Sequence, residues 1–259
     1  MKHIMIRMIL CCLLTMPWLK AGGEPVVSLV DETLTYDVIY KWGFINKVAG
    51  YATMSLRNDG DLYRASVYAQ NAPWANSIYK LRDTLYTTMT KKGLFPVKYV
   101  YIAHEQGKYK KDELSFKRQG NMFTADVVRY KRPSADSPMS MTTTSLEAEG
   151  MTVDMLSSFF YLRTLDFENM KNGQNTTVNI FSGSKKERLT ITYLGKQKVK
   201  LNGTSLQTYH INFTFTRRGK QSSDPIDGWI TADSRRIPVK VEGQLPVGKV
   251  RALYTGPNP

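Results

Sequence analysis

The residues of this chain whose types and spacing suit chemistry are a few arginines set among carboxylates and aromatics. Asp233, Arg235 and Arg236 follow Trp229 at short intervals. A guanidinium matches planar anions bidentately, so this group reads in one of two ways. It is a fork for carboxylate or phosphate, or it is a turn in which Asp233 accepts backbone amides while an arginine covers the indole. Arg82-Asp83 and Arg163 form a second set. If their segments converge, Asp83 and Arg163 make a partly buried ion pair that fixes a helix to a sheet. The alternative places them at a ligand mouth with Trp74, Tyr79 and Tyr161. The ligand-binding candidates are therefore Trp74, Tyr79, Asp83, Tyr161, Arg163, Trp229, Asp233 and Arg236.

Catalytic machinery is sparse. His104 and His210 are far apart and lack the H-x-x-x-H spacing of a zinc site. His210, among Thr and Asn, reads as an exposed imidazole. Ser157-Ser158 has no G-x-S-x-G elbow around it, and no phosphate or dinucleotide loop is present. Asp224 and Asp227 flank Pro225-Ile226, and a carboxylate pair is what glycoside hydrolysis uses. No catalytic residue, metal ligand or cofactor is assigned from these signals.

The elements that must carry these groups are mostly strands. Tyr209, Ile211, Phe213 and Phe215 alternate with polar residues over Gln207 to Thr216, the period of a strand with one buried and one wet face. Leu34, Tyr36, Val38 and Tyr40 alternate in the same way, as do Leu189, Ile191 and Tyr193. Between such runs lie turn formers, among them Asn58-Asp59-Gly60-Asp61, Gln106-Gly107, Gln119-Gly120-Asn121, Asn202-Gly203 and Arg218-Gly219. The pattern predicts an all-β fold: one large curved antiparallel sheet forming a β-roll or incomplete barrel, with one or two short helices. Ala72 to Leu81 reads as a short helix or compact loop opened by Pro73. Asp154 to Leu165 reads as a helix capped by Asp154 that plugs one end of the sheet. Lys131 to Ser145 reads as a long surface loop leading into an edge strand.

Lys2 and Arg7 precede an apolar run from Met8 to Leu19, broken by Thr15 and Pro17 and followed by Lys20-Ala21-Gly22-Gly23. This is the arrangement of a secretory signal peptide, and the run is shorter than the roughly 20 residues a spanning helix needs. Residues 1–23 are expected to be removed, leaving 24–259 as a single β-rich domain in the periplasm or outside the cell. The two cysteines, Cys11 and Cys12, lie inside that run, so the processed chain has no thiol or disulfide chemistry. The formal net charge of +14 rests mostly on residues beyond the leader. Such an excess favours anionic lipid, glycolipid or acidic glycan as partner, with peripheral membrane contact; export argues against nucleic acid.

Tyr79-Lys80-Leu81-Arg82-Asp83, Pro96, Gly107-Lys108-Tyr109-Lys110 and Asp154-x-x-Ser157-x-x-Tyr161-Leu162-Arg163-Thr164-Leu165 occur in that order. They are followed by Asp227-Gly228-Trp229-x-Thr231-x-Asp233-x-Arg235-Arg236-x-Pro238-Val239 and Val247-Gly248-Lys249-Val250. This succession resembles the exported bacterial family catalogued as domain of unknown function 3108, over roughly residues 30 to 255. The resemblance implies a β-rich periplasmic protein of Gram-negative bacteria and supplies no catalytic residues. The expected function is binding of an apolar or amphiphilic envelope ligand inside a curved sheet. Two other classes stand beside it: a glycan or lipid hydrolase using a carboxylate pair, and a structural partner of an envelope complex.

Overall fold

The computed structural model describes residue 27 and residues 29–78, 80–221 and 223–257. The expected leader, residues 1–23, and the candidate Tyr79 lie outside the described residues. The described chain forms a single sheet. Its first half is a meander: β1 (Glu32–Trp42), β2 (Ile45–Asp59), β3 (Leu62–Asn71), β4 (Leu81–Thr90), β5 (Pro96–Glu105), β6 (Lys108–Gln119), β7 (Met122–Arg132) and β8 (Ser140–Glu149). A short strand β9 (Thr152–Asp154) and helix α1 (Ser157–Arg163) follow. The second half holds β10 (Asn175–Ser182), β11 (Lys185–Leu201), β12 (Thr204–Arg217), β13 (Lys220–Gln221), β14 (Ile226–Thr231), β15 (Pro238–Gln244) and β16 (Lys249–Tyr254).

The strand order is β8-β7-β6-β5-β4-β3-β2-β1-β16-β15-β14-β12-β11-β10-β9, with β13 paired to β12. Antiparallel pairing of β1 with β16, Tyr36 opposite Tyr254, joins the two meanders into one surface. Only β9 runs parallel to its neighbour, β10. The expected all-β architecture, a nearly closed barrel-shaped sheet, is what forms. Each run of alternating residues became a strand because its apolar set lands on one face: Leu34 and Tyr36 in β1, Leu114 and Phe116 in β6, Tyr209 and Ile211 in β12 are buried.

Side chains, not a hydrogen-bonded ladder, draw the two free edges together. Phe116 of β6 stacks on Phe181 of β10 at 5.8 Å. The Arg129 guanidinium of β7 donates to the Ser184 hydroxyl at 2.6 Å, and Lys186 donates to the Glu147 carbonyl of β8 at 2.9 Å. Two apolar clusters form the core. One gathers Leu34, Leu56, Tyr99, Leu114 and Phe160; the other gathers Phe167, Ile180, Ile191 and Tyr209. At about 1.5–3 kcal/mol per buried large apolar side chain, these clusters supply most of the driving force.

Helix α1 sits between the clusters and is held at both ends. Asp154 accepts the amides of Leu156 and Ser157, each at 2.8 Å, and the Thr87 hydroxyl of β4 at 2.6 Å. The predicted helix over Asp154 to Leu165 is thus shorter, because Asp154 spends its carboxylate ahead of the first turn. Ala72 to Leu81 contains only a 3-10 turn, Pro73–Ser77. Strand β7 runs on through Arg132, so the connection expected from Lys131 is shorter, and β8 is an edge strand as predicted.

Antiparallel connectivity sorts the turns onto two rims. The first rim holds the β1–β2 turn, the segment between β3 and β4, the β5–β6 turn and the β15–β16 turn. The second holds the β4–β5, β11–β12 and β14–β15 connections. Gln106 and Gly107 take φ values of 49° and 76°, the doubly left-handed geometry that closes a two-residue hairpin at the first rim.

Candidate functional site

The sequence-derived candidates fall in three places. Asp83 opens β4 near the first rim, where the Tyr101 hydroxyl donates to its Oδ2 at 2.9 Å and its Oδ1 is buried without a partner. Burial raises the Asp83 pKa and the Glu105 carboxylate adds to the rise, against the opposing Tyr101 hydrogen bond. Trp74, also at the first rim, donates from its indole to the Val48 carbonyl at 2.7 Å, with the Lys47 ammonium 4.6 Å from its ring centre.

Arg163, Asp233, Arg236 and Tyr161 belong to the second-rim side. The Arg163 side chain is 2 % exposed and pairs with Glu32 of β1, while its other nitrogens donate at 2.8 Å to the carbonyls of Arg235 and Arg236. The expected Asp83–Arg163 pair therefore does not form: α1 ends where β1 begins, and Asp83 is near the opposite rim. Asp233 accepts the amides of Arg235 and Arg236 at 2.9 Å and the Thr231 hydroxyl at 2.8 Å, which is the turn reading of this motif. Arg236 donates to the Leu165 carbonyl at 2.8 Å, and its guanidinium lies 4.7 Å from the Tyr209 ring centre. Its Nη1 is engaged by the fold and its Nε is buried without a hydrogen-bond partner, so it is not held open as an anion fork. Tyr161 is half-buried against the second apolar cluster, and that burial raises its pKa.

Trp229 stands apart, in β14. Its indole donates to Gln197 Oε1 at 2.7 Å. The cation over it is Lys240, 3.9 Å from the ring centre, and not an arginine, because Lys240 is directly opposite in register. On the other side His210 stacks at 4.6 Å with its ring 5° from parallel. That imidazole is not solitary: its Nε2 lies 3.0 Å from Asp227 Oδ1, which also accepts from Asn212 at 3.2 Å. One carboxylate of the Asp224–Asp227 pair is therefore engaged by its own strand neighbours.

A different group of residues does converge. Across five strands, Gln70 of β3, Arg82 of β4, His104 of β5, Tyr109 of β6 and Arg132 of β7 stand opposite one another in register and so share one face. His104 meets Tyr109 edge-on at 5.0 Å. With the segment between β3 and β4 and the Gln106-Gly107 turn, Gln70, Arg82, His104 and Arg132 of this row bound a cleft of about 420 Å³ at the first rim. Lys80, Arg82, Lys108 and Arg132 line it together with the amides of Gln70, Asn71, Asn76 and Gln106, and no carboxylate is among its described lining residues. None of these four cations forms an ion pair with another described residue. Arg132 also keeps its Nε buried without a hydrogen-bond partner.

Four unspent cations with neutral donors suit an oxyanion such as phosphate or carboxylate. Sequence reasoning passed over this set, although Arg82 and Lys108 stand in the motifs quoted above. The turn at Gln106-Gly107 places His104 opposite Tyr109 by counting alone. The pairing of Arg82 with Gln70 depends on how the chain returns after β3. Among the described residues, no group of three or more His, Cys, Asp or Glu is placed to hold a metal ion.

No curated protein matches the chain. Among solved structures, a beta-barrel-like protein of domain of unknown function DUF1849 from Brucella abortus superposes with a TM-score of 0.62 at 10% identity, covering 88% of this chain and 97% of that one. That likeness concerns the fold. A family model described as "Protein of unknown function (DUF3108)" matches residues 35–255, and the chain belongs to that family.

Proposed function

We propose that this protein is a cell-envelope binding protein whose ligand is an anionic amphiphile, a phosphorylated lipid or glycolipid, with the anionic group seated in the basic cleft at the first rim. The observation that carries the reading is the absence of any carboxylate among the lining residues beside Lys80, Arg82, Lys108 and Arg132. Like charges gathered without counter-ions repel one another, and an anionic ligand relieves that repulsion. The leader-like N-terminus and the +14 formal charge point to the same compartment and the same class of partner.

The test is native mass spectrometry of protein purified from an envelope fraction. The wild type is expected to carry a lipid-sized adduct containing phosphate, and the charge-reversal pair Arg82→Glu with Arg132→Glu to lose it. An adduct retained undiminished by the pair, or a wild type with none, overturns the reading.

A further inference from the structure

The cleft leaves unexplained a second feature of the first rim. The β1–β2 turn carries Trp42, Phe44 and Ile45, the β15–β16 turn carries Leu245 and Val247, and Ile78 follows the 3-10 turn between β3 and β4. Phe44 is fully exposed, Ile78 is 70 % exposed and Trp42 54 %. The two hairpin turns are neighbours: the Tyr40 hydroxyl donates to the Val247 carbonyl at 3.0 Å, and Gly248 packs on the Trp42 side chain and the Lys41 carbonyl. The fold thus leaves apolar surface in water at adjacent chain reversals, where scattered single exposures would be ordinary.

Cations surround the patch. Lys41 pairs in register with Lys249, so two ammonium groups flank the turns from adjacent strands. Lys47 lies above Trp74, and Arg251 is next along β16. Glu242 is set between Lys240, Lys249 and Arg251, so it offsets only part of this charge. Against an apolar protein face these cations would lose water without gaining a counter-ion. Anionic headgroups supply the counter-ions, while indole and phenyl rings settle at the headgroup boundary.

We propose that the first rim docks on the surface of an anionic lipid bilayer, with Trp42 and Phe44 entering the interface and Lys41, Lys47, Lys249 and Arg251 meeting the headgroups. This does not depend on what the cleft binds. The test is co-sedimentation with vesicles of phosphatidylglycerol and phosphatidylcholine, against vesicles of phosphatidylcholine alone, using the full processed chain. The wild type is expected to bind the anionic vesicles, to release as salt rises, and to shift its tryptophan emission to the blue on binding. Trp74 is partly buried at the same rim under Lys47, so the shift is assigned to Trp42 by its loss in Trp42→Phe.

The double variant Trp42→Ser with Phe44→Ser is expected to bind about tenfold more weakly or worse. Its melting temperature and the adduct of envelope-purified protein should be unchanged, which separates failed docking from failed folding or an empty cleft. Lys41→Glu with Lys249→Glu is expected to abolish the preference for anionic vesicles. Equal binding to both vesicle types, absence of wild-type binding, or undiminished binding by the Ser variant would falsify the proposal.

Discussion

The two rims of this sheet use the same residue types to opposite ends. At the second rim Arg163 is buried, pairs with Glu32 and caps two carbonyls, and Arg236 returns the favour by donating to Leu165. At the first rim Arg82 and Arg132 stand with Lys80 and Lys108 in a cleft whose described lining holds no carboxylate. The difference teaches that an arginine's role is read from what its donors already hold. A guanidinium whose donors are taken by its own chain secures the fold, and one whose donors are free awaits an anion.

The sharpest way to break that comparison is at Arg163. Replacing it with Leu leaves the Glu32 carboxylate and the carbonyls of Arg235 and Arg236 without their donor in a buried place. A loss of about 3–5 kcal/mol is expected in urea denaturation. A loss below about 1 kcal/mol would mean that the second rim does not need its arginine.

Asp112 gives the next largest effect. Its side chain is wholly buried, bonded by Arg129 at 2.5 and 3.0 Å and paired with Lys110 at 2.9 Å. Burial pushes its pKa up, but the bonds from Arg129 and Lys110 outweigh burial and hold it below the usual 3.8. A carboxylate whose pKa is lower folded than unfolded adds stability above the unfolded value, and that stability is lost as pH falls through the folded one. Asp112→Asn is expected to cost about 1.5–3 kcal/mol at neutral pH. Thermal melts across pH should show the gap from wild type closing below pH 3.8. A gap that does not change with pH would show that the pair acts through packing alone.

The smallest effect belongs to the cleft. Arg82→Glu with Arg132→Glu, the pair that should strip the envelope adduct, is expected to alter stability by about 1 kcal/mol or less in total, because neither arginine has an ion pair with a described residue to lose. Chemical denaturation checks this. A large loss would place these arginines with Arg163 among the groups that secure the fold and would erase the contrast between the rims.

Much of the fold was legible in the chain. The alternating runs around Tyr36, Ile191 and Tyr209 all became strands with those residues inside. Asp154 caps the helix start, and Asp233 organises the turn read for it. The candidate site was less legible. Among the residues singled out, Asp83 and Arg163 proved to be near opposite rims. The row from Gln70 to Arg132 spans five strands and four connections, and no window of sequence contains it. Within Lys110-Lys111-Asp112-Glu113 nothing distinguishes the acid that is wholly buried from the one that is not; the sheet face decides it.

The sequence by itself determined the strands, their turns and the all-β class, because alternation and left-handed turn residues act over a few neighbouring positions. The tertiary structure decided which charges are consumed and which remain free. That depends on register and on how far the sheet curls, which bring Arg163 to Glu32 and leave Arg82 and Arg132 lining a cleft without an ion pair.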